Sequence, residues 1–153
     1  MPHIHEQIDF TVEVFVVYAN RVLLRKHDKY KLWLSVGGHV ELDEDPNQAA
    51  VREVKEEVGL DVTLARDLLV KTEDNDTYRE LIPPKFLNRH TINEGHEHVS
   101  MTYFATASND VIINQAAEKS ESIKWFAAEE LDNPELSNRV RIYAKRALAE
   151  LSS

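Results

Sequence analysis

The stretch GHVELDEDPNQAAVREVKEEVGL, Gly38 to Leu60, decides how this chain is read. Its second half, REVKEEVG (Arg52–Gly59), crowds Glu53, Glu56 and Glu57 together. In a helix, positions i, i+3 and i+4 lie on one face. Like charges so placed repel by roughly 0.2–0.5 kcal/mol per pair. Acidic helix faces are common and mostly solvated, so the surrounding residues must decide whether this one has a task.

The helix itself is well punctuated. Asp43, Glu44 or Asp45 can cap its N-terminus, and Pro46 suits the first turn. Gly59 suits the left-handed position just past the C-terminus. Val51, Val54 and Val58 fall on one stripe at the 3.6-residue period, roughly opposite the three glutamates. One face is expected to pack on a core and the other to carry carboxylates.

Outward from the helix, strand signals dominate. Residues 10–19 are rich in Val, Phe and Tyr, and a tight turn at Asn20-Arg21 leads to a second strand at 22–26. The run LWLSV (32–36) reads as a short buried strand broken by Gly37 and Gly38. DVTLARDLLVKT (61–72) reads as a strand. Residues 75–97 read as loop-rich around Pro83-Pro84, with a short strand within KFLNRHTI (85–92). HVSMTYFATA (98–107) and SIKWFA (122–127) complete the strands, and residues 109–122 read as a polar loop. A helical turn near 127–131 and an amphipathic helix over 134–151 close the chain. This order predicts an α/β fold, a mixed sheet flanked by helices, formed as a single domain over residues 1–153.

Composition narrows the function. A formal net charge of −9 argues against a broad duplex nucleic-acid footprint. It leaves room for small phosphorylated ligands, because a divalent cation bridges an acidic protein to an anionic substrate. With no cysteine, thiolate zinc sites, disulfides and cysteine nucleophiles are excluded. The N-terminus has no signal-like segment, and the first apolar run is interrupted by Glu13 and too short to span a bilayer. A cytoplasmic protein with no membrane partner is the expectation.

Read from Gly38, the residues spell G-x5-E-x7-R-E-V-x-E-E-V-G-L. This resembles the Nudix box, G-x5-E-x7-R-E-U-x-E-E-x-G-U with U a bulky aliphatic. Gly38, Glu44, Arg52, Glu53, Val54, Glu56, Glu57, Gly59 and Leu60 all match. A chance match is on the order of one in a hundred million per start position, so the solvated-helix reading loses to the full spacing. The LW approach and the late IKWF segment extend the resemblance across most of the chain. Two positions depart from the commoner pattern: Val36 where a Pro often precedes the double glycine, and Asp43 where a Gly often precedes the first box glutamate. Neither removes a ligand; both bear on loop shape.

The resemblance implies an α/β/α sandwich and hydrolysis of a diphosphate linkage in a nucleoside diphosphate joined to a moiety X, with Mg²⁺ or Mn²⁺. It implies Glu53 and Glu57 as principal metal ligands, Glu56 as a ligand or its neighbour, and the Gly37 carbonyl as a further oxygen. Arg52 would orient carboxylates with Glu44 as its partner. The physics agrees: charge developing on phosphoryl oxygens needs cations, and hard oxygen ligands on a rigid helix suit Mg²⁺. Ion binding would also relieve the repulsion within REVKEEVG.

Weaker signals surround the box. The general base is Glu53 or Glu57, or a loop carboxylate among Glu94, Glu97, Glu118 and Glu121, each of which reads first as a solvated side chain. His96 and His98 have a zinc-compatible spacing, but the sequence offers no third ligand, so exposed or hydrogen-bonded histidines are the better reading. Arg25, Lys26, Lys29 and Lys31 form a basic cluster that reads first as a solvated loop. Trp33, Tyr78, Phe86, Tyr103 and Trp125 have rings that suit a base, though aromatics in strands are mostly core. The competing functions are a non-catalytic nucleotide-sensing or protein-binding module and an RNA 5′-end pyrophosphohydrolase. An isopentenyl diphosphate isomerase is disfavoured because enzymes of that type use a cysteine. A small nucleotide-type substrate is the expected partner, and a homodimer is compatible with the sequence.

Overall fold

The computed structural model describes residues 7–27, 30–114 and 122–153. Strand β1 (Ile8–Tyr18) is the centre of the sheet. Val12, Val14 and Val16 face one hydrophobic cluster, and Phe15 and Val17 face the other. This is the period-2 pattern of a strand buried on both faces. The turn to β2 (Arg21–Lys26) places Ala19 and Asn20 at φ 50° and 61°, as a two-residue hairpin with primed-turn twist requires.

β3 (Trp33–Leu34) pairs with β2, and β4 (Val36–His39) pairs antiparallel with β1 at Thr11–Val14. Gly37 and Gly38 therefore do not break the strand. They belong to β4, opposite Glu13 and Val12. Glycine is required there by close approach: a β-carbon at Gly37 would collide with the Val12 carbonyl oxygen.

Helix α1 (Pro46–Val58) covers the Val12-Val14-Val16 face. Asp45 is the cap: its Oδ1 accepts from Gln48 N at 2.9 Å, and its own N–H donates to Gln48 Oε1 at 2.9 Å. Gly59 ends the helix at φ 73°, its N–H donating to Lys55 O at 3.0 Å. The buried stripe differs from the valine stripe expected. It comprises Ala49, Ala50, Glu53, Val54, Glu57 and Val58, whereas Val51 is 40% exposed. At about 100° per residue that stripe is centred near Glu57, so two of the three glutamates point inward.

β5 (Val62–Leu64) is shorter than the strand expected over 61–72; the chain leaves the sheet after Leu64. A small hairpin, β6 (Asp74–Asn75) with β7 (Tyr78–Arg79), stands apart from the main sheet. β8 (Phe86–Asn93) is a full eight-residue strand, paired antiparallel with β9 (His96–Ala107). β9 also runs parallel to β1 from Ile8 to Val17. β10 (Ser122–Ala127) pairs with β2, a 3₁₀ turn follows at Ala128–Asp132, and α2 (Asn138–Leu151) packs on the Phe15-Val17 face. The main path is β10-β2-β1-β9-β5, a mixed sheet between two helices, as expected. Among the described residues, no helix is long and apolar enough to cross a membrane.

Candidate active site

Helix α1 and strand β4 meet at the double glycine. Gly37 N donates to Glu57 Oε1 at 3.4 Å. A β-carbon on Gly38 would overlap the Glu53 carboxylate, so Gly38 is the space that Glu53 fills. Glu53 is 2% and Glu57 9% exposed. Glu57 Oε2 is buried and, among the described residues, accepts no hydrogen bond. Beside it is Arg25, whose Nε lies 3.1 Å away while that N–H donates to Ser35 O at 3.3 Å.

Arg52 organises the other side. Its Nε and Nη2 donate to the two oxygens of Glu44 at 2.9 and 2.6 Å, a bidentate pair. Nη2 also donates to the His39 carbonyl at 3.0 Å, and Nη1 to Glu53 Oε1 and Glu56 Oε2, each at 3.1 Å. Glu44 Oε1 in turn accepts from Glu41 N at 3.0 Å. One guanidinium thus ties the loop after β4 to three carboxylates. The hydrogen bonds from Arg52 hold Glu44 below its usual pKa, and Glu44 raises that of Arg52.

The two buried glutamates shift in the opposite direction from Glu44. Burial pushes Glu53 up to about 7 against the pull of Arg52, with the Glu57 charge adding to the rise. Burial likewise pushes Glu57 up to about 7 against Arg25 and the Gly37 N–H. Paired carboxylates that are costly to charge, one with an unfilled oxygen, fit a hard divalent cation. Glu56, half exposed on the rim, is bound by Arg52 and is the least enclosed of the three.

The remaining candidates fall elsewhere. Glu94 is exposed at the β8–β9 turn, and Glu97 pairs with Arg89 at 3.2 Å. Glu118 and Glu121 lie outside the described residues, as does Lys29. Lys26 pairs with Glu135 at 2.9 Å. Arg25 belongs to the site rather than to a solvated loop; nothing in the sequence links it to Glu57. Trp33 and Tyr103 are buried, and Phe86 stacks on Tyr143 with centroids 3.9 Å apart, so these rings serve the interior. His96 is buried and His98 partly so, so of the two expected settings, exposed or hydrogen-bonded, the exposed one does not apply. They face the α2 side of the sheet, away from the glutamates. A cleft of about 290 Å³ beside the N-terminus of α1, lined by Gln48, Arg66, Lys71 and Arg79 among others, includes neither Glu53 nor Glu57.

Comparison with known proteins identifies the family. The NUDIX domain family model matches residues 9–148. A Nudix-family hydrolase from Clostridium perfringens superposes with a TM-score of 0.81 at 32% identity, over 94% of this chain and 97% of that one. A MutT Nudix hydrolase from Burkholderia pseudomallei gives 0.65 at 25% identity, over 96% and 100%. Dihydroneopterin triphosphate diphosphatase of Haemophilus influenzae is 43% identical over 53 residues, a match spanning 34% of this chain and 34% of that relative's length. The chain belongs to the Nudix family, and it is an enzyme, a Nudix-type pyrophosphohydrolase acting on acid anhydrides.

Proposed function

We propose that the chain, working as a single domain, hydrolyses the phosphoanhydride bond of a nucleoside diphosphate linked to X, with Mg²⁺ or Mn²⁺. The observation that carries this is the convergence of buried Glu53 and Glu57 on the Gly37-Gly38 backbone. Glu53, Glu57 and the Gly37 carbonyl would hold the ion, with Glu56 at the margin. When bound, the ion neutralises phosphoryl oxygens and makes water a better nucleophile.

The protein's own groups do the rest. Arg52, fixed by Glu44, holds Glu53 and Glu56 in place and does not give up its proton. The Gly37 N–H and Arg25 orient Glu57. A box carboxylate, Glu53 or Glu57, takes the proton from water; a carboxyl titrating near neutrality is matched to that task.

The name of the Haemophilus influenzae relative makes a pterin triphosphate the first compound to try. The panel should also hold nucleoside triphosphates, oxidised nucleotides, ADP-ribose, NADH, dinucleoside polyphosphates, nucleotide sugars and 5′-triphosphate RNA. Phosphate and pyrophosphate release would be followed with Mg²⁺ or Mn²⁺, beside EDTA and Glu57→Gln controls. Metal-dependent cleavage of one compound that disappears in Glu57→Gln supports the reading and names X. Cleavage that survives both controls refutes it.

A further inference from the structure

The α2 side of the sheet carries a second constellation that the hydrolytic reading does not use. Asp9 on β1, His39 on β4 and His98 on β9 each offer a ligand atom, and the three atoms lie within 4.8 Å of one another. Register brings them together: Asp9 is opposite His98 across the parallel β1–β9 pair, and His39 is opposite Thr11 on β1. Asp9 is 1% exposed and His39 8%. Asp9 Oδ2 lies 3.4 Å from His39 Nε2 and 3.4 Å from His96 Nε2. The His39 and His98 rings stand edge-on at 5.0 Å, and those of His96 and His98 at 5.2 Å.

We propose that Asp9, His39 and His98 form a binding site for a zinc-class transition-metal ion, separate from the glutamate site. Zinc–nitrogen and zinc–oxygen bonds near 2.0–2.1 Å set ligand atoms about 3.3 Å apart in a tetrahedron. The 3.4 Å Asp9–His39 separation matches that edge, and exceeds the 2.7–2.9 Å or so of a tight charge-assisted hydrogen bond. Small rotations of the His98 ring bring in the third donor. Two imidazoles and a carboxylate select zinc-class ions over magnesium, the reverse of the all-oxygen set at Glu53 and Glu57. His96 Nε2 lies equally far, 3.4 Å, from Asp9 Oδ2, but it stands outside the three-atom group, so His96 is assigned as a positioning residue packed against the Asp9 carboxylate.

The site's place in the fold gives it a role. Neighbours in a strand point to opposite faces. Gly38 faces Glu53 and the next residue, His39, faces Asp9. An ion on the histidine side therefore clamps the strand that carries Gly37 and Gly38, tying β4 and β9 to β1.

The test is titration of the chelator-stripped protein with Co²⁺ under excess Mg²⁺, read by visible d–d absorption, with Zn²⁺ as competitor. One tetrahedral equivalent is expected, displaced by Zn²⁺ and retained when Glu53→Gln and Glu57→Gln are combined. The band should vanish in His98→Ala, and affinity should fall about 10–100-fold in His96→Ala. Independently of any variant, Zn²⁺ should shift the imidazole NMR signals of His39 and His98 but not His27. No cobalt band in the wild type, a band untouched by His98→Ala, loss of the band in the double glutamine variant, or unshifted His39 and His98 signals would each overturn the proposal.

Discussion

Gly38 and Glu53 share one space: the carboxylate of the helix residue occupies the volume where a strand β-carbon would stand. Gly38→Ala must therefore displace Glu53 or push β4 from α1. Misplacing a reacting group by about 1 Å can cost on the order of 100-fold in rate. The expected result is a fall in kcat/KM of that order, with the fold intact by circular dichroism. Unchanged kcat/KM in Gly38→Ala would mean that Glu53 need not sit where it does.

Glu53→Gln separates stability from activity. The substitution removes a buried charge that burial penalises, while Arg52 keeps Glu44 and Glu56. The metal-free variant should melt at or above the wild-type temperature at pH 8. Its activity should fall at least about 100-fold, roughly 2.7 kcal/mol in the barrier. The Tm rise that Mg²⁺ gives the wild type should shrink or vanish. A large loss of metal-free stability would contradict burial as the cause of the raised pKa.

The pH dependence follows from the same two groups. Both carboxyls are pushed up to about 7 in the folded protein, against about 4.5 for an unperturbed glutamate. Between those values the folded state holds protons that the unfolded state has released, so metal-free stability falls as pH rises from about 4.5 through 7. The total is on the order of a few kcal/mol, because the two sites are coupled. Magnesium needs the ionised forms, so its affinity should rise across the same window. Melting curves from pH 5 to 8, with and without Mg²⁺, should converge at low pH and diverge at high pH.

How much of this was legible in the sequence follows from where each constraint acts. The Gly59 cap and the Val, Phe and Tyr content of β1 are local signals and read correctly, and the N-cap falls on Asp45, one of the three residues the sequence offered. The inward turn of Glu53 and Glu57 was hidden, because the valines point to a buried face opposite the carboxylates, whereas the buried face also takes in Ala49 and Ala50 and is rotated toward Glu57, leaving Val51 outside. Gly37 and Gly38 read as a break because their space is claimed from elsewhere, by Val12 and Glu53. β8 reads as only a short strand beside Pro83-Pro84, since its pairing with β9 supplies what local propensity lacks. Arg25, Asp9 and His39 reach their partners across the sheet, over separations that no motif spacing encodes.

Arg25 provides the last prediction. It lies 3.1 Å from Glu57 Oε2 and lowers the pKa that burial raises. Without that charge, as in Arg25→Met, Glu57 must titrate above about 7. Proton competition for the metal site then extends to higher pH, and the acid limb of the pH–rate profile should move upward. Arg25→Lys should recover part of the displacement, because it restores the charge without the planar fork that lets Arg25 hold Ser35 O as well. Added Mg²⁺ should restore rate at low pH more fully in the wild type than in Arg25→Met. An acid limb that stays in place in Arg25→Met, with kcat alone reduced, would make Arg25 a contact for substrate phosphate instead of a partner of Glu57.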